Sequence, residues 1–312
     1  MDNEKMNELE IRGLKHLVIS SPATFAHEVS GGRWKYVPHL NYLDEKLLAA
    51  ACGIVKRVMI NMPPRHGKSE LTSKYFPAWY LGNFPNNRVI LTSYGAEFAS
   101  SWGMKVRNQI DEFGEEYFGI RLDPSSRAVN NFSIEGHEGG MSCAGAGGSI
   151  TGKGADLLII DDPVKNDSEA NSPVYREKLW EWYRATAYTR LEPGGIIVII
   201  MTRWHEDDLC GRILKMKEYV DDDAIKWEIV KMPAISGAGD ILGRGPNQAL
   251  WEARYSRKYL LDLKKELGSY WFSSLYQQNP SPAGGGIYKR KDFLYFSFDG
   301  TNFHIKAKSG DK

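Results

Sequence analysis

The stretch Val58-Met59-Ile60-Asn61-Met62-Pro63-Pro64-Arg65-His66-Gly67-Lys68-Ser69 decides how this chain is read. Val58 to Ile60 is an apolar run of the kind that forms a short buried strand. The loop behind it closes with Gly67-Lys68-Ser69. Leu71, Tyr75, Ala78 and Trp79 then recur with a helical period. Strand, loop and helix with Gly-Lys-Ser at the helix start make the phosphate-binding P-loop arrangement. Unpaired N–H groups at a helix start point at an anion, and the helix dipole favours negative charge there. Lys68 is expected to reach the β- and γ-phosphates, and the Ser69 hydroxyl to ligate Mg²⁺. The usual first glycine of the motif is replaced by Met62. Pro63 and Pro64 have no N–H and only stiffen the loop, so the donors are Arg65, His66, Gly67, Lys68 and Ser69. The expected nucleotide cradle runs from Pro64 to Glu70. A Gly-Lys-Ser tripeptide also occurs in ordinary turns, so its partners elsewhere in the chain decide.

The 312 residues suffice for one large α/β domain or two smaller ones. A net charge of +1 means that any nucleic-acid surface is a local patch, not a global field. Cys52, Cys143 and Cys210 are scattered and odd in number, which supports neither a disulfide framework nor a zinc site. No apolar stretch approaches the ~20 residues of a membrane span. Met1 to Glu10 is polar and acidic, unlike a signal peptide. These features lead us to expect a soluble intracellular protein.

The decisive partner is Ala155-Asp156-Leu157-Leu158-Ile159-Ile160-Asp161-Asp162-Pro163. Four apolar residues ending in acid read as a buried parallel strand that delivers carboxylates to its C-terminal edge, where open α/β sheets bind ligands. This is a Walker B pattern, about 90 residues after the P-loop. Asp161 is expected to hold the Mg²⁺ shell and Asp162 to orient the attacking water. A further strand, Ile196 to Met201, ends in Thr202-Arg203-Trp204-His205. A polar group there is placed to sense the γ-phosphate, or else to cap a helix from Glu206 to Lys217.

Around these lie supporting elements. Leu9, Ile11, Leu14 and Leu17 mark a peripheral helical stripe within residues 1–30. Trp34 to Leu40 is aromatic and irregular; it lies against a base or packs as a flap. Asn41 to Ala51 and Ala96 to Phe113 read as helices, and Arg88 to Ser93 as a strand. Asn130 to Thr151 reads as two short strands in a glycine-rich setting. A long helix is expected from Ser172 to Thr189, with Gly194-Gly195 turning the chain into the next strand. Asp221 to Asp223 reads as a solvated turn, Lys226 to Met232 as a strand and 254–278 as a helical region. Lys289-Arg290-Lys291 follows a linker.

Taken together, the sequence resembles the large terminase subunit of tailed bacteriophages, the motor that packages DNA. The resemblance rests on Asn61 to Ser69, on Thr151-Gly152-Lys153-Gly154-Ala155-Asp156 running into Ile160-Asp161-Asp162-Pro163, on Met201 to His205, and on Tyr276-Gln277-Gln278-Asn279-Pro280. It implies an α/β fold of the additional-strand P-loop NTPase type, a parallel sheet flanked by helices, with a small lid subdomain. It divides the chain into an N-terminal helical segment (1–34), an ATPase core (35–235), a lid (236–280) and a linker (281–312). Arg65 is expected on the γ-phosphate side, and Thr202 in the motif coupling hydrolysis to movement. Relatives carry an arginine before Walker B that acts on a neighbouring subunit's ATP. Lys153 stands there in this chain, a point charge instead of a planar fork. The second Walker B acid is more often glutamate, so Glu169 is an alternative to Asp162 as the catalytic carboxylate.

The implied cofactors are ATP and Mg²⁺. The implied partners are double-stranded DNA, the portal protein, the small terminase subunit and further copies of the chain in a ring, within the host cell cytoplasm. Family members usually continue into a nuclease with an acidic metal cluster. Only 32 residues follow Pro280, and Asp292 and Asp299 make no cluster, so the chain reads as the motor half without nuclease activity. A helicase-type ATPase would need a second motor domain. A nucleotide-gated assembly module that barely hydrolyses ATP has the same motifs.

Overall fold

The computed structural model describes residues 13–281, apart from 14, 149, 151 and 218–225, together with 296–298 and 303–305. Leu9, Ile11, Leu14, Thr151, Asp221 to Asp223, Lys289 to Lys291, Asp292 and Asp299 lie outside the described residues.

The chain enters through α1 (Pro22–Val29). Ser21 caps it by accepting the Thr24 N–H while Thr24 accepts the N–H of Ser21. Helix α2 (Pro38–Ala51) starts on a proline and leads into β1 (Arg57–Asn61). After the loop, a π-helical stretch, Glu70–Tyr75, continues as α3 (Phe76–Asn83). Then come β2 (Arg88–Ser93), α4 (Ala96–Phe118), β3 (Leu122–Ala128), β4 (Asn131–Ile134), β5 (Gly140–Gly145) and β6 (Ala155–Asp161). The remainder is α5 (Asp167–Asn171), α6 (Pro173–Trp182), β7 (Leu191–Met201), α7 (Leu209–Lys217), β8 (Glu228–Lys231) and α8 (Arg257–Trp271). A short antiparallel pair, β9 (Phe296–Phe298) and β10 (Phe303–Ile305), ends the described chain.

Eight strands form one sheet in the order β3-β4-β5-β2-β6-β7-β1-β8. From β5 to β8 every pairing is parallel; β3 and β4 add an antiparallel margin. Strand β7 lies between the P-loop strand β1 and the acid-bearing strand β6, the additional-strand order. Side chains alternate across the sheet with period two. Val58, Ile60, Leu157, Ile159, Val198 and Ile200 enter the core cluster shared with α1 to α4. Met59, Leu158, Ile160, Ile197, Ile199 and Met201 enter a second cluster, shared with α6 and α7. Burial on both faces is why these strands are continuous apolar runs. Ala234, Ile235, Ala249, Leu260 and Phe272 form a third, smaller cluster around α8.

Several elements differ from the sequence reading. The helix expected from Ser172 to Thr189 is α-helical only to Trp182, then π-helical (Tyr183–Ala187) and 3-10 (Tyr188–Arg190). The wider turn keeps Trp182, Tyr183 and Ala187 all buried against the sheet. Gly194-Gly195 does not precede β7 but lies inside it. The β6 pairing jumps from Ala155↔Leu191 to Leu157↔Ile196, a bulge that absorbs the extra residues. The helix expected from Glu206 begins at Leu209, and α4 runs five residues beyond Phe113. The glycine-rich region holds the two strands expected, β4 and β5, and the unexpected β3 precedes it; Gly140 is required in β5. A Cβ at Gly140 would fall 2.2 Å from the Phe132 carbonyl oxygen of the neighbouring strand.

Candidate nucleotide site

The strand register brings the site together. Asn61 pairs with Met201, Asp161 with Ile200, and Ser93 with Asp161, so β1, β7, β6 and β2 end in one row. The loop from Pro63 to Lys68, the pair Asp161-Asp162, and Thr202-Arg203 leave from that row.

The loop is held in an unusual shape. Gly67 takes φ +91°, where a side chain is strained, and a Cβ would meet the Leu40 methyls at 3.1 Å. Arg65 takes φ +59° and its side chain is exposed. The His66 ring donates from Nδ1 to the Pro64 carbonyl at 2.8 Å, and His39 donates from Nε2 to the His66 carbonyl at 3.0 Å. Both imidazoles are buried, and burial lowers the pKa of each to about 4. Each therefore stays neutral near pH 7 and holds the loop by one N–H. His66 also packs on Tyr255 (ring centroids 4.7 Å) and His39 on Trp251 (5.2 Å), tying the loop to the segment before α8.

Lys68 is buried at the helix start, with its ammonium 3.0 Å from the Thr202 hydroxyl and 3.7 Å from Asp162 Oδ2. Asp162 sits at φ +43° and accepts the Thr202 N–H on Oδ1 at 3.0 Å. Non-glycine residues in this region cost about 1–3 kcal/mol each and persist only where the surroundings fix them. Two neighbouring strand exits thus clasp each other: Asp162, just after β6, meets the backbone of Thr202, and Thr202 presents its hydroxyl to Lys68.

Asp161 is fully buried. Ser69 donates to its Oδ1 at 2.9 Å and Ser73 to its Oδ2 at 2.8 Å. The two serines are four apart on the helical stretch, one turn on the same side. Burial, with the neighbouring Asp162 charge second, raises the Asp161 pKa to about 7. Lys68 offsets part of this burial cost, and a divalent cation on the same carboxylate would offset more. One carboxylate and one hydroxyl suit Mg²⁺, which keeps several waters and takes its remaining ligands from phosphates.

Other candidates lie apart. Glu169 works as a local cap: its carboxylate accepts the Lys165 N–H at 2.8 Å, while its own N–H goes to Asn166 at 3.1 Å. Glu70 pairs with Lys74 at 3.0 Å. Lys153 precedes β6 at the end opposite the acids, donating to Asn131 and Ser142 at 3.0 Å each. The seven residues of β6 span roughly 20 Å, so Lys153 does not reach its own chain's P-loop. Thr202 caps no helix; its hydroxyl accepts from Lys68 and α7 starts seven residues later.

Four participants have no reading in the sequence motifs: His39, Ser73, Asp208 and the amide of Gln278. Asp208 binds Arg203 Nε with both oxygens, at 3.0 and 2.8 Å, in a buried pair behind Thr202. Only Ser73 had a local signal, its spacing of four from Ser69.

The strand order and the loop define a P-loop nucleotide-binding fold of the additional-strand type. Residues 59–293 match the family described as terminase large subunit, T4likevirus-type, N-terminal, and the chain belongs to that family. No curated protein matches the chain. Among solved structures, it is similar to a mutant of the ATPase domain of the Thermus phage P74-26 large terminase, at 14% identity and a TM-score of 0.53, covering 84% of this chain and 100% of that one. It is also similar to the HK97 bacteriophage large terminase, at 14% identity and a TM-score of 0.48, over 76% of this chain. The chain spans 50% of the length of the HK97 protein.

Proposed function

We propose that this chain is the Mg-ATP-hydrolysing motor region of a viral large terminase, coupling hydrolysis to movement of double-stranded DNA into a procapsid. One observation carries the reading. Lys68, Ser69, Asp161, Asp162 and Thr202 come from three segments and meet within hydrogen-bond or ion-pair reach at one sheet edge.

In this reading the N–H groups from Arg65 to Ser69 cradle the phosphates, and Lys68 faces the β/γ-phosphate bridge. Arg65 adds charge on the γ-phosphate side. Ser69 and Asp161 hold Mg²⁺, which when bound neutralises phosphate charge. Asp162 orients the attacking water, and Thr202 sets the Lys68 ammonium. Residues 236–280 form the lid over a core of 35–235, preceded by the helical segment 1–34 and followed by a linker. Lys153, at the far end of β6, serves a neighbouring copy's nucleotide in a homo-oligomeric ring. The ring meets the portal protein and the small terminase subunit in the host cytoplasm.

Steady-state phosphate release from ATP, with and without double-stranded DNA, tests the proposal. Mg²⁺-dependent turnover that Lys68→Ala removes is the expected result. Nucleotide binding without turnover in any assembly would instead make the chain a gated assembly module. Nuclease activity is not part of the proposal. Cleavage of plasmid with Mn²⁺ that survives Lys68→Ala and Asp161→Ala would overturn that point.

A further inference from the structure

Gln278 is fully buried, yet its backbone sits at φ +54°, a conformation that glutamine adopts only when its surroundings impose it. Its amide is used at both ends. Oε1 accepts the Arg203 N–H at 3.0 Å, and Nε2 donates to the Leu275 carbonyl. Arg203 immediately follows Thr202, whose hydroxyl receives the Lys68 ammonium. The neighbouring Gln277 uses its amide differently, pairing with both the N–H and the carbonyl of Ile235 at 2.9 Å. Ala234 adds a bond to the Tyr276 carbonyl at 2.7 Å. The segment that ends the α8 unit is thus fastened to two strand exits. Gln277 and Tyr276 grip the exit of β8, whereas Gln278 grips the exit of β7, the strand that carries Thr202.

These two attachments differ in kind. Among the described residues the β8 exit makes no hydrogen bond or ion pair to Lys68, Asp161 or Asp162; its link to the loop is the Met232 N–H on the Asn61 carbonyl at 2.9 Å. The β7 exit is part of the candidate nucleotide site. Behind it the Arg203 guanidinium is anchored in a buried pair with Asp208. A displacement of Thr202 therefore either carries Gln278 with it or breaks a buried hydrogen bond.

We infer that Gln278 is a positioning residue for the nucleotide site: its side-chain carbonyl fixes the Thr202–Arg203 backbone, and through it the α8 unit senses what Lys68 holds. The inference rests on the ATPase reading above. The test uses the full chain, with ADP·Mg²⁺ as the binding probe, steady-state ATP turnover, and hydrogen exchange of residues 202–204 and 257–279. Gln278→Met removes the acceptor and keeps the volume. It should lower kcat on the order of 10–100-fold while KM and ADP affinity change by less than about threefold. Gln278→Glu retains the acceptor oxygen and should recover part of the rate. In the wild-type chain alone, ADP should slow exchange at 202–204 and at 272–279 together. A response confined to 202–204 overturns the inference without any variant. So does a Gln278→Met protein with wild-type kcat, or one losing ADP affinity and rate in proportion. A wild-type chain that binds no ADP removes the ATPase reading and this inference with it; normal turnover with an indifferent Gln278 removes this inference alone.

Discussion

The Lys68 ammonium lies 3.0 Å from the Thr202 hydroxyl, although 134 residues separate the two in the chain. Sheet register produces this contact. Asn61 pairs with Met201, so the loop after β1 and the loop after β7 start side by side. Valine at this position would keep the branched shape and lose the acceptor.

Lys68→Ala should reduce ATP turnover on the order of 10²–10³-fold or more, because it removes the cation facing developing phosphate charge. Circular dichroism should be unchanged, since the side chain contributes nothing to either apolar cluster around the sheet. Thr202→Val should give a smaller loss, with nucleotide binding kept. A well-folded Lys68→Ala protein with near-normal phosphate release would sink the P-loop assignment.

Asp162→Asn and Glu169→Gln should part company. Asp162 touches both Lys68 and Thr202, so its loss should cost on the order of 10²–10⁴-fold in kcat. Glu169 caps its own loop, so Gln there should cost under about 1 kcal/mol of stability and leave the rate near wild type. Parallel rate and urea-midpoint measurements decide; a crippled Glu169→Gln enzyme means the catalytic acid was misassigned.

Asp161→Asn should raise thermal stability without nucleotide at pH 8, by about 1–2 kcal/mol, since it removes an ionised carboxylate buried beside a second one. The same change should abolish the gain in melting temperature that ADP·Mg²⁺ gives the wild type. A nucleotide-free variant that melts earlier than wild type would contradict the burial penalty inferred for this carboxylate.

Acid should destabilise the fold through His39 and His66. Their folded pKa values, lowered to about 4, lie below the ordinary 6.5, so between these values the unfolded chain binds more protons. Their contribution is therefore complete above pH 6.5 and is lost as pH falls toward 4, at up to about 3 kcal/mol per histidine. Urea midpoints from pH 7.5 to 4.5 measure it. His39→Gln, which keeps a donor for the His66 carbonyl, should flatten the slope; an unchanged slope would place the acid sensitivity elsewhere.

The apolar strands and the Gly67-Lys68-Ser69 loop were legible because each carries its own local pattern: continuous burial for β6 and β7, forced backbone for the loop. Strand β3 was not legible. Its residues, Leu122 to Ala128, include Asp123, Pro124, Ser125 and Ser126, poor strand formers that pair only at the sheet margin. Asp162 was legible as an acid but not as the acceptor of the Thr202 N–H, which depends on the register of β6 against β7. His39, Asp208 and Gln278 were invisible as participants for the same reason. His39 and Gln278 act on backbone groups 27 and 75 residues away, and Asp208 acts on the Arg203 guanidinium once the loop after β7 folds back. Tyr276 to Pro280 is legible by likeness alone, which attaches no physical role to it.

Arg65, Asp162 and Gln278 share one property: each is a non-glycine residue at positive φ, and each stands on a different segment around Lys68 and Thr202. Local bonds shape two of these bends, but Asp162 and Gln278 are also tied to the exit of β7, through Thr202 and Arg203, and so depend on that strand end staying in place. Modest heating that loosens strand ends should let these three residues relax toward ordinary backbone first, while the sheet still stands. Catalytic inactivation would then begin several degrees below the melting transition, and would reverse fully on cooling. The working range of the proposed motor would be set by the tautness of three bends, not by the size of its core.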